Sequence, residues 1–217
     1  QHFGSPNSFS TQQHNTNLIF NLKICLHNVI NYVFKTYHCL NNFTLNPNHD
    51  IESKFGFPTK FPVPVIKDLD SIPTPNYDKE AKKRRDFRKV TTLTIDPVDA
   101  KDFDDALSFK ELDDEITEIG VHIADVGHFV KEKSIIDNEA FQRGNSVYLV
   151  DRVIPMLPEK LSNVLCSLRP NEDKYTFSAL FTFNKKLQII DQWFGKTIIN
   201  SNQRFSYDEA QHIIENN

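Results

Sequence analysis

Five aspartates fall within ten residues of this 217-residue chain, directly after a strand-like segment: Asp96, Asp99, Asp102, Asp104 and Asp105. Carboxylates this close repel one another and raise one another's pKa unless a bound divalent cation or wide exposure to water offsets the repulsion. A fold that contains this run must therefore provide either a cation site or a solvated turn.

The residues around the run favour a cation site. Phe103 and Ala106 are interleaved with the aspartates, so the segment cannot be wholly exposed. Pro97 ends the preceding strand, and the chain between Asp96 and Asp102 is long enough to turn back on itself. Hard cations such as Mg²⁺ take oxygen ligands and keep positions for water and phosphate. Two such ions about 4 Å apart would suit phosphodiester cleavage.

Two other interpretations of the acidic run stay open. One is an acidic surface turn without a ligand, because charge runs are commonly solvated. The other is a calcium-binding EF-hand loop. It is a poor alternative because no frame gives its alternating ligands with a central glycine and a terminal glutamate, and strands flank the run.

Composition limits the class of protein. The net charge is −4 with neutral histidines, so no global positive field indicates a nucleic-acid partner. Cys25, Cys39 and Cys166 lack CxxC spacing, which argues against disulfides or a zinc site and indicates a reducing compartment. The apolar stretch 18–34 is too polar to span a bilayer. We expect a cytoplasmic monomer with no disulfide partner and no membrane association.

The chain divides into three parts by composition. Residues 1–49 contain no Asp or Glu and are rich in Asn, which predicts a poorly ordered or non-native tail. Residues 50–89 are a proline-rich and basic linker, in which the prolines favour extended conformations. Residues 90–217 hold the folded domain. Because the chain begins with Gln1 and stops within a predicted helix, we expect a fragment.

Beyond Val90, strand-like and helix-like segments alternate, which predicts an α+β fold with helices around a mixed sheet. Capping boxes predict helices that begin after Ser134 and Ser206, and Pro158 in a first turn predicts a third helix. Five segments rich in β-branched and aromatic residues are expected to be strands: 91–95, 106–109, 118–126, 176–184 and 188–197.

A basic segment precedes the first of these strands, and it has two interpretations. Its Lys and Arg side chains could contact phosphates. An exposed, solvated face is the favoured alternative for a lone basic run. The segment consists of Lys82, Lys83, Arg84, Arg85, Arg88 and Lys89.

The segment 90–108, which contains the acidic run, resembles the RNB catalytic domain of the ribonuclease II and ribonuclease R family. Three further segments follow in the family's order and spacing: 119–128, 146–162 and 166–174. The resemblance runs from about Ile51 to the C-terminus. It implies hydrolytic, processive degradation of single-stranded RNA from the 3′ end to nucleoside 5′-monophosphates, with Mg²⁺ as cofactor and Mn²⁺ as an alternative.

The resemblance also implies roles for the aspartates. By motif position Asp96, Asp102, Asp104 and Asp105 correspond to the family's four active-site aspartates, all of them candidate metal ligands. Asp96 and Asp105 are expected to be the main Mg²⁺ ligands. Asp104 is expected to organise the metal and water, and Asp102 to support or orient a ligand, which makes this pair the catalytic candidates. Asp99 falls where the family is less strict.

Further polar side chains are candidates by motif position or by chemistry. Tyr148 corresponds to a family tyrosine that stacks on a base near the RNA 3′ end, with an ordinary packed strand tyrosine as the alternative. Arg169 could bind RNA phosphate or pair with an acidic residue near the site. His122 and His128 are expected to be ordinary side chains, since Mg²⁺ sites rarely use imidazole. Cys166 is expected to be buried and unreactive.

The chain departs from the family in ways that limit its expected activity. It lacks the cold-shock-type OB modules and the S1-type module, and the later arginine and aromatic positions are missing. We therefore expect the chain itself to bind Mg²⁺ weakly and to show little or no exonuclease activity. A catalytically inactive RNA-binding remnant and a metal-binding module unrelated to RNA are the alternatives. Retention of all four aspartates favours the enzyme.

Overall fold

The structure, a computed structural model, describes residues 58–149 and 152–216. The helices and the strands lie in one compact unit formed by Pro58–Tyr148 and Val153–Asn217. The predicted tail, residues 1–49, and its boundary with the linker lie outside the described residues. Within the described part, no helix is long and apolar enough to cross a membrane.

The described residues form nine strands: β1 Arg85–Phe87, β2 Thr91–Asp96, β3 Asp105–Asp113, β4 Ile116–Ala124, β5 Val147–Tyr148, β6 Val153–Ile154, β7 Asp173–Asn184, β8 Ile189–Asn200 and β9 Gln203–Ser206. They also form five α-helices: α1 Val63–Ser71, α2 Tyr77–Ala81, α3 Val126–Phe129, α4 Ile135–Arg143 and α5 Tyr207–Asn216. One π-helical turn spans Lys160–Leu165.

Seven of these strands build one mixed sheet in the order β1-β8-β7-β4-β3-β2-β9. The five strands from β8 to β2 are antiparallel neighbours, whereas β1 joins β8 and β9 joins β2 in parallel. Strands β5 and β6 form a separate antiparallel hairpin. The predicted α+β class, a mixed sheet with surrounding helices, is confirmed.

The local predictions beyond Val90 hold because they rest on short-range physics. Each of the five predicted strand segments overlaps an observed strand, although β4 ends at Ala124 because α3 begins at Val126. The Ser134 hydroxyl accepts a hydrogen bond from the Asp137 N–H, which caps α4 as predicted. The third predicted helix is the π-helical turn.

The prediction of extended backbone through the proline-rich linker is wrong for Val63–Ser71, which forms α1. Helix α1 begins directly after Pro62, and Pro64 lies in its first turn, where a missing N–H breaks no helical hydrogen bond. Strand β1 also lies inside the predicted linker, and it pairs with β8 in the main sheet. From Val63 onward this part of the chain is therefore built into the fold.

The basic segment, which was predicted either to contact phosphates or to form an exposed face, is partly buried. The Arg84 side chain is fully buried and bonds Asp125, with 2.7 Å between Nη2 and Oδ2. Arg85 pairs with Glu118 on β4 across 3.3 Å. These arginines attach the segment to the sheet, because buried charges need partners.

A buried polar network centred on His122 crosses the inner face of the sheet. Its Nδ1 lies 2.6 Å from the Ser178 hydroxyl and its Nε2 lies 2.8 Å from the Ser108 hydroxyl. Gly120 makes room for this arrangement, since a Cβ there would meet the Ser108 hydroxyl and the His122 ring. His122 is fully buried, so its interpretation as an ordinary core side chain is confirmed.

The opposite face of the same strands is apolar and remains open within residues 58–149 and 152–216. Its large side chains keep between 37% and 56% of their surface exposed. They are Leu107 and Phe109 on β3, Ile119 and Ile123 on β4, Phe177 on β7 and Phe194 on β8.

We expect the fold to lose stability as His122 is forced to accept a proton. Burial lowers the pKa of His122 from 6.5 to about 4, so the unfolded chain binds this proton more tightly than the folded chain does. The contribution of His122 is complete above pH 6.5 and is lost as pH falls towards 4, by up to about 3 kcal/mol.

Urea unfolding of the parent and of His122→Gln between pH 7 and pH 4 tests this prediction. The variant should be less stable at pH 7, and the gap should narrow as the solution is acidified. Parallel stability curves over this range would contradict the assignment of the pH dependence to His122.

Candidate active site

The acidic loop, residues 97–104, joins β2 to β3 at one end of the main sheet. Asp96 is the last residue of β2 and Asp105 is the first residue of β3. Pro97 follows the strand end directly, as predicted. On its other side Asp96 lies opposite Ser206 of β9, the residue that precedes α5. The fold therefore holds both ends of the loop on paired strands.

The Asp96 carboxylate is buried without full compensation. Its Oδ2 atom has no hydrogen-bond partner among the described residues, and the residue is 9% exposed. Burial raises the pKa of Asp96 to about 6, with further increases from Asp105 and Asp102 and partial offsets from Thr94 and Arg204. The Thr94 hydroxyl lies nearby but falls short of hydrogen-bond geometry. A cation or a hydrogen-bond donor would stabilise the ionised form of such a buried carboxylate.

Asp102 has a defined partner in the β5–β6 hairpin. The Tyr148 hydroxyl donates a hydrogen bond to Oδ2 of Asp102 across 2.7 Å. Burial and this bond raise the pKa of Tyr148, so the hydroxyl keeps its proton near neutral pH. The Tyr148 residue is 56% exposed, which excludes the alternative of a tyrosine packed inside a sheet. A partly exposed aromatic residue thus lies beside the acidic loop.

Asp104 lies on the exposed side of the loop. Desolvation raises the pKa of the Asp104 carboxyl, and the neighbouring Asp102 and Asp105 raise it further. Asp99 is also exposed, and no role was predicted for it.

The four predicted aspartates lie at one end of the sheet, but their carboxylates do not surround a common point. In the part of the chain that the structure describes, no three His, Cys, Asp or Glu side chains form a group that could hold a metal ion. The carboxylates of Asp102 and Asp105 are nevertheless close enough to Asp96 to raise its pKa. The metal site stays a prediction.

The other candidates occupy separate positions. Arg169 is half exposed and pairs with Glu172 across 3.5 Å, so it contacts an acidic residue outside the acidic loop. Its RNA-binding role stays a prediction. His128 lies 3.1 Å from an Arg84 nitrogen and packs on the Tyr175 ring. Burial raises the pKa of the Cys166 thiol to about 12, which agrees with an unreactive cysteine.

Ser167 contacts the acidic loop, although the sequence analysis assigned it no role. Its hydroxyl donates to the Lys101 carbonyl across 2.8 Å and accepts from the Phe103 N–H across 3.1 Å. Ser167 lies inside the segment 166–174 that carried the family resemblance, so a signal was present in the sequence. What the sequence did not show is which backbone groups the hydroxyl meets.

Arg204 and Tyr207 also lie at the site without having been predicted. The Arg204 Nη2 donates to the carbonyl oxygens of Pro97 and Val98, both at 2.6 Å, and its guanidinium lies 5.2 Å from the centre of the Phe103 ring. Burial, Asp96 and Asp105 raise the pKa of Tyr207, which places this half-exposed aromatic beside the carboxylates. Only the parallel pairing of β9 with β2 brings them here.

Residues 84–217 match the RNB domain family. The chain is 47% identical over 155 residues to DIS3-like exonuclease 2 of Xenopus tropicalis, a match that covers 71% of this chain and 19% of that protein. It is 42% identical over 156 residues to ribonuclease R 1 of Lactococcus lactis, covering 72% and 19%. The chain thus spans about a fifth of the length of these relatives.

Two further similarities bear on activity. A protein of Arabidopsis thaliana named inactive exonuclease DIS3L2 is 44% identical over 150 residues, covering 69% of this chain and 14% of that protein. Among solved structures, Mycoplasma genitalium RNase R in complex with double-stranded RNA superposes with a TM-score of 0.69 at 31% identity. That match covers 76% of this chain and 29% of the RNase R chain.

Proposed function

The chain belongs to the RNB-domain family, and from that membership we propose that it takes part in exoribonuclease hydrolysis, releasing nucleoside 5′-monophosphates from the 3′ end of single-stranded RNA. The observation that carries the proposal is the buried Asp96 carboxylate. It has an unpartnered oxygen and lies beside Asp102 and Asp105 at the end of the sheet. A chain that maintains such repulsion gains from a cation at this position.

The donor set fits a hard divalent cation, Mg²⁺ or Mn²⁺, because it consists of carboxylate oxygens. Asp96 and Asp105 would be the main ligands, with Asp102 in support, and among the described residues nothing donates to Oδ2 of Asp96, which supplies an unsatisfied acceptor. When bound, the cation would lower the pKa of a water and offset the charge of a phosphodiester.

The remaining residues suit binding and proton transfer. Asp104 is exposed and has a raised pKa, which suits a carboxylate that orients a water molecule and takes its proton. The Tyr148 hydroxyl orients Asp102 while its exposed ring offers a stacking surface for any base. The exposed guanidinium of Arg169 can contact a phosphate of the same strand.

An assay of single-stranded RNA labelled at its 5′ end tests the proposal. With Mg²⁺ the label should move through products that shorten by one nucleotide at a time, and nucleoside 5′-monophosphates should accumulate. EDTA should stop the reaction and added Mn²⁺ or Mg²⁺ should restore it, because the carboxylates alone repel the phosphate. Internal fragments or cleavage that resists EDTA would contradict the proposal.

A second function, RNA binding without turnover, is supported by two observations. One similar protein carries the name inactive exonuclease, and the described carboxylates do not converge on a metal position. Fluorescence anisotropy with the same labelled RNA separates the two functions. Binding with no release of nucleotides in either Mg²⁺ or Mn²⁺ would favour the inactive domain.

A further inference from the structure

We propose that Ser167 is a positioning residue. Its buried hydroxyl fixes the backbone of the acidic loop, so that Asp102 and Asp104 both direct their carboxylates to the site. This role rests on the proposed function, because it matters only where those carboxylates act together. Ser167 itself touches neither carboxylate in the described contacts. It acts through the backbone that carries them.

The Ser167 hydroxyl holds the backbone on both sides of Asp102. It donates to the carbonyl oxygen of Lys101 at 2.8 Å and accepts from the N–H of Phe103 at 3.1 Å. The next residue adds a third bond, from the Leu168 N–H to the Phe103 carbonyl at 2.8 Å. These three bonds fix the peptide units that precede and follow Asp102 and the one that precedes Asp104.

The position of Phe103 explains why these bonds control both aspartates. Phe103 is 7% exposed and points into the core, while Asp104, its neighbour in the chain, lies on the outside. A rotation of the backbone at Phe103 would turn the side chains on either side of it. An exposed loop without such bonds samples many conformations, and ordering its carboxylates would then cost free energy when the cation binds.

Ser167 is well placed to be a rigid support. It is fully buried, as are Leu168 beside it and Leu161 in the preceding π-helical turn. The Cys166 N–H donates to the Leu161 carbonyl at 2.8 Å, a bond that spans five residues and closes that turn. Single π-helical turns are frequent at functional sites. Here the turn precedes Ser167, whose hydroxyl contacts the backbone of the acidic loop.

Arg204 fixes the other end of the same loop, through Pro97 and Val98. Because each end is held by a different element, loss of the serine should loosen the stretch around Phe103 without releasing the whole loop. The expected defect is therefore local, and it can be separated from unfolding.

Ser167→Ala compared with Ser178→Ala tests the proposal in the full 217-residue chain. Ser178 is an equally buried serine whose hydroxyl bonds His122 and Thr197 and makes no described contact with the acidic loop. Two measurements are needed: amide hydrogen exchange at Phe103, with Leu180 as a reference for global opening, and the Kd for Mn²⁺ by titration calorimetry.

We expect Ser167→Ala to speed exchange at Phe103 relative to Leu180 and to raise the Kd for Mn²⁺ by about 10-fold, the lower end of the effect seen when groups that orient metal ligands are removed. Ser178→Ala should lose stability but keep both properties. Unchanged exchange at Phe103 in Ser167→Ala, or equal weakening of Mn²⁺ binding by both variants, would overturn the proposal. Failure of the parent to bind Mn²⁺ would instead overturn the proposed cation chemistry, and the exchange comparison would still decide whether Ser167 fixes the loop.

Discussion

In a longer version of the chain that degrades RNA, Asp104→Asn should lower the rate of degradation by about 10²-fold or more while the protein stays folded. The Asp104 side chain lies on the exposed side of the acidic loop, so an amide of the same size removes no core packing. It removes the charge that Asp102 and Asp105 repel, and with it the ability to take a proton from water. The unfolding temperature should stay the same or rise slightly, because this repulsion is relieved.

The measurement is the initial rate of nucleotide release from 5′-labelled RNA in Mg²⁺, together with thermal unfolding of the same samples. Asp99→Asn is the matched control, since Asp99 is an exposed aspartate of the same loop with no predicted role. Equal rates for Asp104→Asn and the parent would remove Asp104 from the mechanism. A loss of rate in both variants would instead indicate that the total charge of the loop matters, and not the position of one carboxylate.

Asp96→Asn should make the protein more stable at pH 7.5 and abolish its response to divalent cations. Burial raises the pKa of Asp96 from 3.8 to about 6, so the folded chain binds this proton more tightly than the unfolded chain does. The stability that comes from protonated Asp96 is complete below about pH 3.8 and is lost as pH rises through 6.

At pH 7.5 the ionised carboxylate therefore costs about 3 kcal/mol, which the neutral amide avoids. For a domain of this size the gain corresponds to an increase in Tm of about 6–12 °C. Cation binding stabilises only the state that contains the site, so Mn²⁺ should raise the Tm of the parent and leave that of Asp96→Asn unchanged.

Thermal unfolding of both proteins at pH 7.5 and pH 4, with and without Mn²⁺, measures these effects. The difference between parent and variant should shrink at pH 4, where Asp96 is protonated in the folded state. A variant that is less stable than the parent at pH 7.5 in the absence of Mn²⁺ would show that the buried charge is compensated. Asp99→Asn should match the parent in every condition.

The two predictions together describe a trade between stability and function. Asp96 is destabilising when ionised and useful only with a cation, whereas Asp104 costs little stability and is expected to matter for the chemistry. The Asp96 effect arises from the burial of its carboxylate, and the Asp104 effect from the position of an exposed carboxylate in the acidic loop.

The sequence by itself determined the features that depend on neighbouring residues. Alternating β-branched residues predicted β2 and the strands that follow, and Pro97 ended β2 because it cannot continue the hydrogen-bonded ladder. The capping box from Ser206 to Glu209 predicted the start of α5. The grouping of the aspartates could also be predicted from the sequence, because a loop of a few residues cannot place them far apart.

Only the tertiary structure decided how that loop is held and which charges are buried. The Tyr148 hydroxyl and Asp102 are 46 residues apart in the chain, Ser167 and Phe103 are 64 apart, and Arg204 and Pro97 are 107 apart. The same holds for α1, whose prolines look extended in isolation but fit a first helical turn that packs Val65 and Leu69 into the core. Local propensity acts over a few residues, whereas burial, desolvation and the partners of a carboxylate depend on strands that meet only after the sheet has formed.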